Sequence, residues 1–240
     1  MINTLGHLNV RRYEECSTLI KWLNPGPGDF ILDIGCGDGY HDSIIAQSGA
    51  KVVGIDIDQK KLSMAQALYS DSKNEFYYMN GESLKIDEKT FNKVVSFCVM
   101  EHTQQDLKVM HNIARALKDG GRLVFSADSL SNPEITDDER LHHQQRYAVK
   151  TFYTAENIKQ KLKLAGFEIE KSQYVMNSPF DLAISRLSWK LDCFPNKLAF
   201  IKVFGYFSLF ILWKIGTIFQ RKIYDQSPSG LTILVSAVKR

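Results

Sequence analysis

The chain has 240 residues, of which 44% are hydrophobic and 24% are charged, the composition of an ordinary globular protein. Collagen-like chains, disordered chains and small disulfide scaffolds are excluded, because a chain of this length buries a core without such supports. The net charge of +3 is unevenly distributed. Residues 178–229 hold seven basic and three acidic residues, a local charge of +4, and 11 of the 27 aromatic residues. This stretch therefore differs chemically from the rest of the chain.

The four cysteines stand far apart, with no CxxC pair and no histidine at metal-ligand spacing. This usage is typical of reduced thiols in the cytoplasm and predicts no metal site. The first residues also lack the apolar run of a secretory signal. We therefore expect a cytoplasmic protein.

Residues 10–23 have the pattern of an amphipathic helix, which the breaker Asn-Pro-Gly-Pro-Gly follows. Strands and helices then alternate. The predicted strands are 30–34, 51–55, 75–79, 93–99, 122–127, 167–175 and 231–238, and the predicted helices are 42–47, 59–69, 107–117 and a segment from Thr154 to Gly166. Such alternation requires parallel pairing with helical crossovers. It predicts an α/β doubly wound, mostly parallel sheet, with a core of residues 1–177 and 230–240 and a helical insertion, residues 178–229, before the last strand.

A glycine-rich loop follows the first predicted strand, in the order Asp33-Ile34-Gly35-Cys36-Gly37-Asp38-Gly39. Glycines at alternate positions let the backbone turn tightly and approach a ligand at the carboxyl edge of the sheet. The dinucleotide pattern G-x-G-x-x-G is absent. Asp33 places a carboxylate beside the loop, which suits a cationic ligand better than a phosphate.

This loop, with an acid at the end of the second strand, resembles the class I S-adenosylmethionine-dependent methyltransferases, and more closely their ubiquinone/menaquinone-type small-molecule branch. The resemblance covers about residues 28–177 and the last strand. The supporting motifs are GIDID at 54–58, NGESL at 80–84, VMEH at 99–102, ALKDGG at 116–121, RLV at 122–124 and AGF at 165–167. It implies a Rossmann-like methyltransferase fold and S-adenosylmethionine as the cofactor.

The resemblance implies that Gly35, Gly37 and Gly39 cradle the methionine part of the cofactor, with Asp33 near its ammonium group. The remaining implied cofactor residues are Asp56, whose carboxylate would accept both ribose hydroxyls, Asn80 and Gly81 beside the adenine, and Cys98, which would face the cofactor through its backbone. Two positions depart from the family pattern. Asn80 stands where Asp is frequent, and Phe91-Asn92 stands where Phe-Asp is usual.

An oxygen acceptor must lose its proton, and histidine is suited to that task at neutral pH. The candidates are His102, after the fourth strand, and His142 and His143, in the predicted loop after the fifth strand; Tyr147 is a weaker candidate. Each also has a structural interpretation. Glu101-His102 is a common family signature, and the later loop could be a solvated connection. The sequence does not choose among them.

The insertion centres on residues 198–219, LAFIKVFGYFSLFILWKIGTIF. Its apolar residues surround the helix, and such a helix needs apolar neighbours on all sides. Three kinds of contact could bury these apolar residues. The first is a peripheral bilayer contact, with Trp189 and Trp213 at the interface and basic residues on anionic headgroups. The others are a lid or homodimer contact, and packing onto the protein's own core. A true membrane span is disfavoured, because the last strand must return to the sheet on the same side.

The sequence therefore predicts methyl transfer from S-adenosylmethionine to an oxygen of an apolar or lipid-linked small molecule, on the inner face of a membrane. One alternative is a soluble methyltransferase of a polar metabolite, with the insertion as lid or dimer interface. Another is a cofactor-binding scaffold that methylates nothing. Nucleic acid is not an expected partner, because the core is slightly acidic and the basic residues lie among apolar ones.

Overall fold

A computed structural model describes residues 9–195, 199–224 and 227–240. The helices are α1 (Val10–Leu23), α2 (Tyr40–Ala46), α3 (Gln59–Tyr69), α4 (Asp106–Ala116), α5 (Asp137–Tyr147), α6 (Ala155–Leu164), α7 (Pro179–Asp192) and α8 (Ala199–Tyr224). The strands are β1 (Phe30–Ile34), β2 (Lys51–Asp56), β3 (Asn74–Tyr78), β4 (Phe91–Phe97), β5 (Leu117–Asp128), β6 (Phe167–Val175) and β7 (Thr232–Lys239). Short 3-10 turns lie at Gly81–Ser83 and Met100–His102.

The strands form one seven-stranded sheet in the order β3-β2-β1-β4-β5-β7-β6. The first five strands in the chain pair in parallel, and β7 runs antiparallel to both β5 and β6. Helices α1 and α2 bury their apolar residues against one face of the sheet, and α4 and α6 bury theirs against the other. The predicted doubly wound α/β fold is confirmed.

The predicted start of the fifth strand at residue 122 is wrong. β5 begins at Leu117, which pairs with Phe91, and the register then shifts so that Lys93 pairs with Arg122. The glycines that we expected to end the preceding helix lie inside this strand instead. Gly120 has a φ of 73°, which glycine adopts without strain, so the strand passes through the irregularity.

The expected loop at His142 and His143 is also wrong, because both residues lie in helix α5. The hydroxyl of Thr136 accepts the N–H of Glu139, and the Glu139 carboxylate accepts the N–H of Thr136 in return. This capping box, with acidic residues in the first turn, favours a helix start. The charged composition of the segment concealed that signal.

The insertion forms the two packed helices α7 and α8. Ser178 and Asp181 make another capping box at the start of α7. Helix α8 lies close to α7 where it carries glycine: a Cβ on Gly205 would lie 2.8 Å from Leu191, and one on Gly216 would lie 2.3 Å from Phe180. Together with α1 and α5, these two helices lie opposite the carboxyl ends of β4 and β5.

Candidate active site

The glycine loop turns sharply between β1 and α2. Gly35, Gly37 and Gly39 all have positive φ angles, of 80°, 59° and 76°. A Cβ at Gly35 would lie 2.3 Å from Val99, and one at Gly39 would lie 2.8 Å from Phe76. At Gly37 the nearest atom would be 4.0 Å away. The loop is therefore tightly packed at both ends and open in the middle, as a cradle for a ligand requires.

Asp56 ends β2 beside this loop. Its Oδ2 accepts the N–H of Gly37 at 2.7 Å, and its Oδ1 accepts the N–H of Asp58 at 2.7 Å. The carboxylate is thus already oriented by backbone donors, with lone pairs left for further hydroxyl donors. Asp58 accepts the N–H groups of Lys60 and Lys61 and caps α3, as the capping preference of aspartate predicts.

Asp33 lies in β1 directly before the loop and is buried. Burial raises its pKa to about 7, with Asp56 also raising it, while a hydrogen bond with Asp42 acts in the opposite direction. Its Oδ1 has no hydrogen-bond donor among the described residues. A buried carboxylate oxygen without a donor favours a cationic ligand nearby.

Asn80 precedes the turn Gly81–Ser83, and its Oδ1 accepts the N–H of Glu82 at 2.8 Å. The amide oxygen therefore caps this turn, in addition to the adenine contact that the resemblance implies. The carbonyl of Gly81 accepts the side-chain N–H of Asn112. The bond from Asn112 fixes the Asn80–Gly81 backbone against α4.

Cys98 has a φ of 52° at the end of β4. Its backbone N–H donates to Ser126, and its thiol donates to Glu15 Oε2 at 3.1 Å. Burial raises the pKa of this thiol well above its ordinary value, and the charges of Glu15 and Glu101 raise it further. The cysteine is therefore a neutral hydrogen-bond donor here and not a nucleophile.

A cavity of about 350 Å³ lies between the carboxyl edge of the sheet and the insertion. Its walls come from α1, the ends of β4 and β5, and helices α5, α7 and α8. The polar lining includes Arg11, Arg12, Glu15, Glu101, His102, Asp128, His143, Tyr147, Asp192, Lys202 and Tyr206. A molecule that enters this cavity meets charged and hydrogen-bonding groups on several sides.

A buried charge network underlies the cavity and was not predicted. Arg11 pairs with both Glu15 and Asp128, and Glu15 also accepts the hydroxyl of Thr232 at 2.6 Å. Asp128 Oδ2 lies 2.6 Å from His143 Nε2. Four elements, α1, β5, β7 and α5, meet in this network. In the sequence, α1 showed only the pattern of an amphipathic helix, with Glu15 four residues after Arg11.

Among the three candidate histidines, His102 and His143 line the cavity and His142 does not. His143 is buried, and this burial lowers its pKa to about 3, with the charge of Arg11 acting in the same direction. Burial lowers the pKa of His102 as well, although a hydrogen bond to the Ala148 backbone opposes the shift. His142 is exposed on α5. Both cavity histidines are neutral at pH 7.

Cys98, Glu101 and Asp128 bring possible metal ligands within 4.8 Å of one another. Arg11 already neutralises Asp128. Burial raises the pKa of Glu101 to about 7, and its Oε2 has no donor among the described residues. The positive charge of Arg11 beside these groups disfavours a second cation, and the cluster carries no metal assignment.

Helix α8 is apolar enough over Phe200–Ile218 to cross a membrane, with 19 residues, a mean hydropathy of 1.4 and 17% burial. One side of it packs on α7 and α1. Trp213 is fully buried there and donates to Asp181 Oδ1 at 2.9 Å. The opposite side, which we call the bare side of α8, is exposed to solvent. Its residues Phe200, Phe204 and Ile218 are 72%, 74% and 77% exposed.

The expected interface position of the tryptophans is therefore wrong, since Trp213 is core and Trp189 lines the cavity. The basic side chains also differ from expectation. Lys214 lies 4.4 Å from the centre of the Tyr13 ring, and Arg186 pairs with Glu139. Residues 196–198 and 225–226 of the predicted insertion lie outside the described residues.

The sequence around this site matches a known family. A methyltransferase domain family matches residues 32–125, the span that includes the glycine loop, Asp56 and the carboxyl end of β4. Residues 32–125 therefore carry a methyltransferase domain, and the fold around them is that of a solved S-adenosylmethionine-dependent methyltransferase. The predicted family and fold are confirmed, whereas the roles of the individual site residues stay predictions.

Curated relatives of this methyltransferase domain carry related names. An O-methyltransferase of Pyrenophora dematioidea is 26% identical over 156 residues, 63% of this chain and 58% of that protein. A ubiquinone biosynthesis O-methyltransferase of Aliivibrio fischeri (strain MJ11) is 32% identical over 102 residues, 41% of this chain and 44% of that protein. The chain thus spans about half the length of these relatives.

A solved structure has the same fold over nearly the whole chain. An S-adenosylmethionine-dependent methyltransferase from Mesorhizobium loti superposes with a TM-score of 0.65 at 20% identity, over 93% of this chain and 96% of that one. The similarity therefore extends past the methyltransferase domain match into the α7–α8 region. At this identity it concerns the fold alone.

Proposed function

We propose that this protein transfers the methyl group of S-adenosylmethionine to an oxygen of a lipid-linked small molecule at a membrane surface. The observation that carries the membrane part is the position of α8. Its inward side chains Lys202 and Tyr206 line the cavity, while Phe200 and Phe204 on the same helix are bare. One helix, about 10 Å thick, therefore separates the cavity from the apolar surface.

The glycine loop and its neighbours fit the cofactor. Gly37 leaves open space where a side chain would stand, and Asp33 has an oxygen without a donor. These features suit the methionine part and its ammonium group, and Asp56 suits the ribose hydroxyls. When bound, S-adenosylmethionine supplies an activated methyl group on a sulfonium. The protein's own task is then to hold the acceptor oxygen in line and to remove its proton.

His102 is the residue that we assign to proton removal. It lines the cavity directly after β4 and is neutral at pH 7, since burial lowers its pKa. His143 is a weaker base, with a pKa of about 3. Arg11 holds one oxygen of Asp128, and the other oxygen accepts a hydrogen bond from Nε2. The Nδ1 of His143 therefore carries the lone pair and can orient the acceptor hydroxyl.

The bare side of α8 is the surface that we assign to lipid. Three aromatic or aliphatic side chains each more than 70% exposed, with further exposed apolar residues between them, exceed the apolar patch of a typical soluble monomer. The helix contains four basic residues and no acidic residue in its sequence. Lys202 faces the cavity and Lys214 lies over the Tyr13 ring, so the support for an inner-face location is the net positive charge of the helix, which an anionic cytoplasmic leaflet attracts.

The charged cavity refines the predicted acceptor. An entirely apolar molecule would remove water from the charged and polar groups of the cavity at a cost in free energy. We therefore propose an amphiphile whose polar head carries the accepting hydroxyl and enters the cavity, while its apolar chain stays in the bilayer beside α8. The two relatives, both named O-methyltransferases, support an oxygen acceptor.

The same charged lining favours a second candidate, a methyltransferase of a polar metabolite. In that case the bare side of α8 would face a second copy of this chain. The two candidates differ in oligomeric state. A dimer in detergent-free solution that does not bind vesicles supports the second candidate, and a vesicle-bound monomer supports the first.

The proposed reaction is tested with methyl-labelled S-adenosylmethionine. Purified protein is incubated with a lipid extract and, separately, with a polar extract, and the label is followed after phase separation. We expect label in the organic phase and release of S-adenosylhomocysteine. Label confined to the aqueous phase would overturn the lipid acceptor, and no transfer to either extract would indicate a scaffold without methyltransferase activity.

A further inference from the structure

A second acid, Asp42, stands behind Asp33 at the glycine loop. It is the third residue of α2 and is fully buried. A Cβ on Gly54 would lie 2.6 Å from Asp42 Oδ2, and Gly54 is the residue that pairs with Asp33 across β1 and β2. The carboxyl group of Asp42 thus fills the space that a side chain at residue 54 would take, next to Asp33.

The carboxyl groups of Asp33 and Asp42 affect each other's pKa. A hydrogen bond between them requires a proton on one of them, because two ionised carboxylates have no donor. When both are ionised, Asp33 Oδ1 and both oxygens of Asp42 lack any donor among the described residues. Such an arrangement is stable only while the pair holds a proton.

The surroundings of the pair are acidic. Asp56, from β2, raises the pKa of Asp33, and Asp38, from the glycine loop, raises the pKa of Asp42. The neighbouring titratable groups are the buried thiols of Cys36, in the loop, and Cys16, on α1. Burial is the largest cause of the raised pKa values of both acids, and no described cation acts on either one.

We propose that Asp33 and Asp42 share a proton in the cofactor-free protein, and that the ammonium group of the bound cofactor displaces this proton. The inference rests on the proposed binding of S-adenosylmethionine. A cation beside Asp33 favours the ionised pair, so binding releases a proton to solvent and the ligand's positive charge takes its place. Asp42 is then a positioning residue, which acts on the cofactor through Asp33.

Because a proton leaves when the ligand binds, affinity for the cofactor rises with pH in the range where the pair is still protonated. Asp33 has a pKa of about 7 and that of Asp42 is raised well above its ordinary value. The ligand's own amino group is protonated below a pH of about 7.7. A change in cofactor affinity between pH 5.5 and 7 therefore comes from the protein and not from titration of the ligand's amino group.

Calorimetric titration with S-adenosylhomocysteine at pH 6.5 tests the proposal. Measured in two buffers of different ionisation enthalpy, the wild-type protein should release on the order of half a proton per ligand. Asp42→Asn, which keeps a hydrogen-bond donor toward Asp33 but cannot share a proton, should abolish the release. The exposed Asp87 offers a matched control, and Asp87→Asn should leave the release unchanged.

A second measurement needs no variant. The dissociation constant of the wild-type protein for S-adenosylhomocysteine should fall several-fold between pH 5.5 and pH 7. Tight binding with equal heats in both buffers and no pH dependence would overturn the shared proton and leave the proposed function intact. Absence of binding under every condition would overturn both.

Discussion

His143 Nε2 lies 2.6 Å from Asp128 Oδ2, in a buried contact that joins helix α5 to the end of β5. Arg11 bonds the other oxygen of the same carboxylate, so one aspartate ties α1 and α5 to the carboxyl edge of the sheet. These residues lie at least 15 positions apart in the sequence. Together they form the floor of the cavity that we assign to the acceptor.

Loss of this contact should destabilise the fold. We expect His143→Ala to lower the free energy of unfolding by about 1–3 kcal/mol, because it leaves the buried Asp128 without one of its partners. His142→Ala, one position away but exposed, should change stability by less than about 0.5 kcal/mol. Chemical denaturation of both variants measures the difference, and equal stability of the two would contradict a structural role for the contact.

His102→Gln should lower kcat for an oxygen acceptor by about 10²–10⁴-fold, the usual contribution of a general base. The dissociation constant for S-adenosylhomocysteine should stay unchanged, since no described contact joins His102 to the glycine loop. A decrease of kcat below twofold would remove His102 from the reaction. His142→Gln is the control and should retain wild-type kcat.

The pH profile offers a separate check of the same residue. A base acts only when deprotonated, and burial lowers the pKa of His102 below 6.5. In the wild-type protein kcat should therefore rise with pH through a midpoint below 6.5 and then level off. A profile that still rises above pH 8 would point to the acceptor's own ionisation in place of a histidine.

The buried acid pair should affect stability in a defined direction. Unfolded aspartates lose their protons near pH 4, whereas Asp33 in the folded protein keeps its proton up to a pH of about 7. The folded state binds more protons in this window, so the pair's contribution to stability is present below pH 4 and is lost as pH rises through about 7. Without cofactor, Asp42→Asn should therefore gain stability relative to wild type as pH rises, by on the order of 2 kcal/mol at pH 8. A difference that does not depend on pH would contradict the raised pKa values.

The sequence predicted the sheet well because its strands are apolar runs between strong breakers. β1, α3 and β6 have the predicted bounds, and the capping pattern at Thr154, with Asn157 in the place of Glu, marks the start of α6 correctly. The glycine loop was also recognisable, since its spacing is a local property of the chain. Its tight packing against Val99 and Phe76, however, depends on distant residues.

The floor of the cavity was not predictable in the same way. Arg11, Asp128 and Thr232 come from the two ends and the middle of the chain, and only the folded sheet brings them together. The packing of α8 was equally hidden. Its composition is apolar all round, but Gly205, Trp213 and Gly216 select the side that faces α7. The composition of α8 indicated that its apolar residues need a partner, but the side that stays exposed depends on tertiary contacts.

The bare side of α8 should bind anionic vesicles. In co-sedimentation, the wild-type protein should pellet with vesicles that contain phosphatidylserine, and Phe200→Ser combined with Phe204→Ser should weaken this binding at least tenfold, because two large exposed apolar groups are lost. Leu164 and Tyr78 are 68% and 63% exposed at other sites. The control Leu164→Ser with Tyr78→Ser should bind as the wild type does.

Methyl transfer on vesicles tests the central claim most directly. The initial rate of label transfer from S-adenosylmethionine to the lipid extract is measured with anionic vesicles as the carrier, for the wild-type protein and for the Phe200→Ser, Phe204→Ser variant. We expect a rate at least tenfold lower for the variant, while its affinity for S-adenosylhomocysteine stays unchanged. Equal rates for the two proteins, or a product found only in the aqueous phase, would contradict a methyltransferase that takes its acceptor from a membrane.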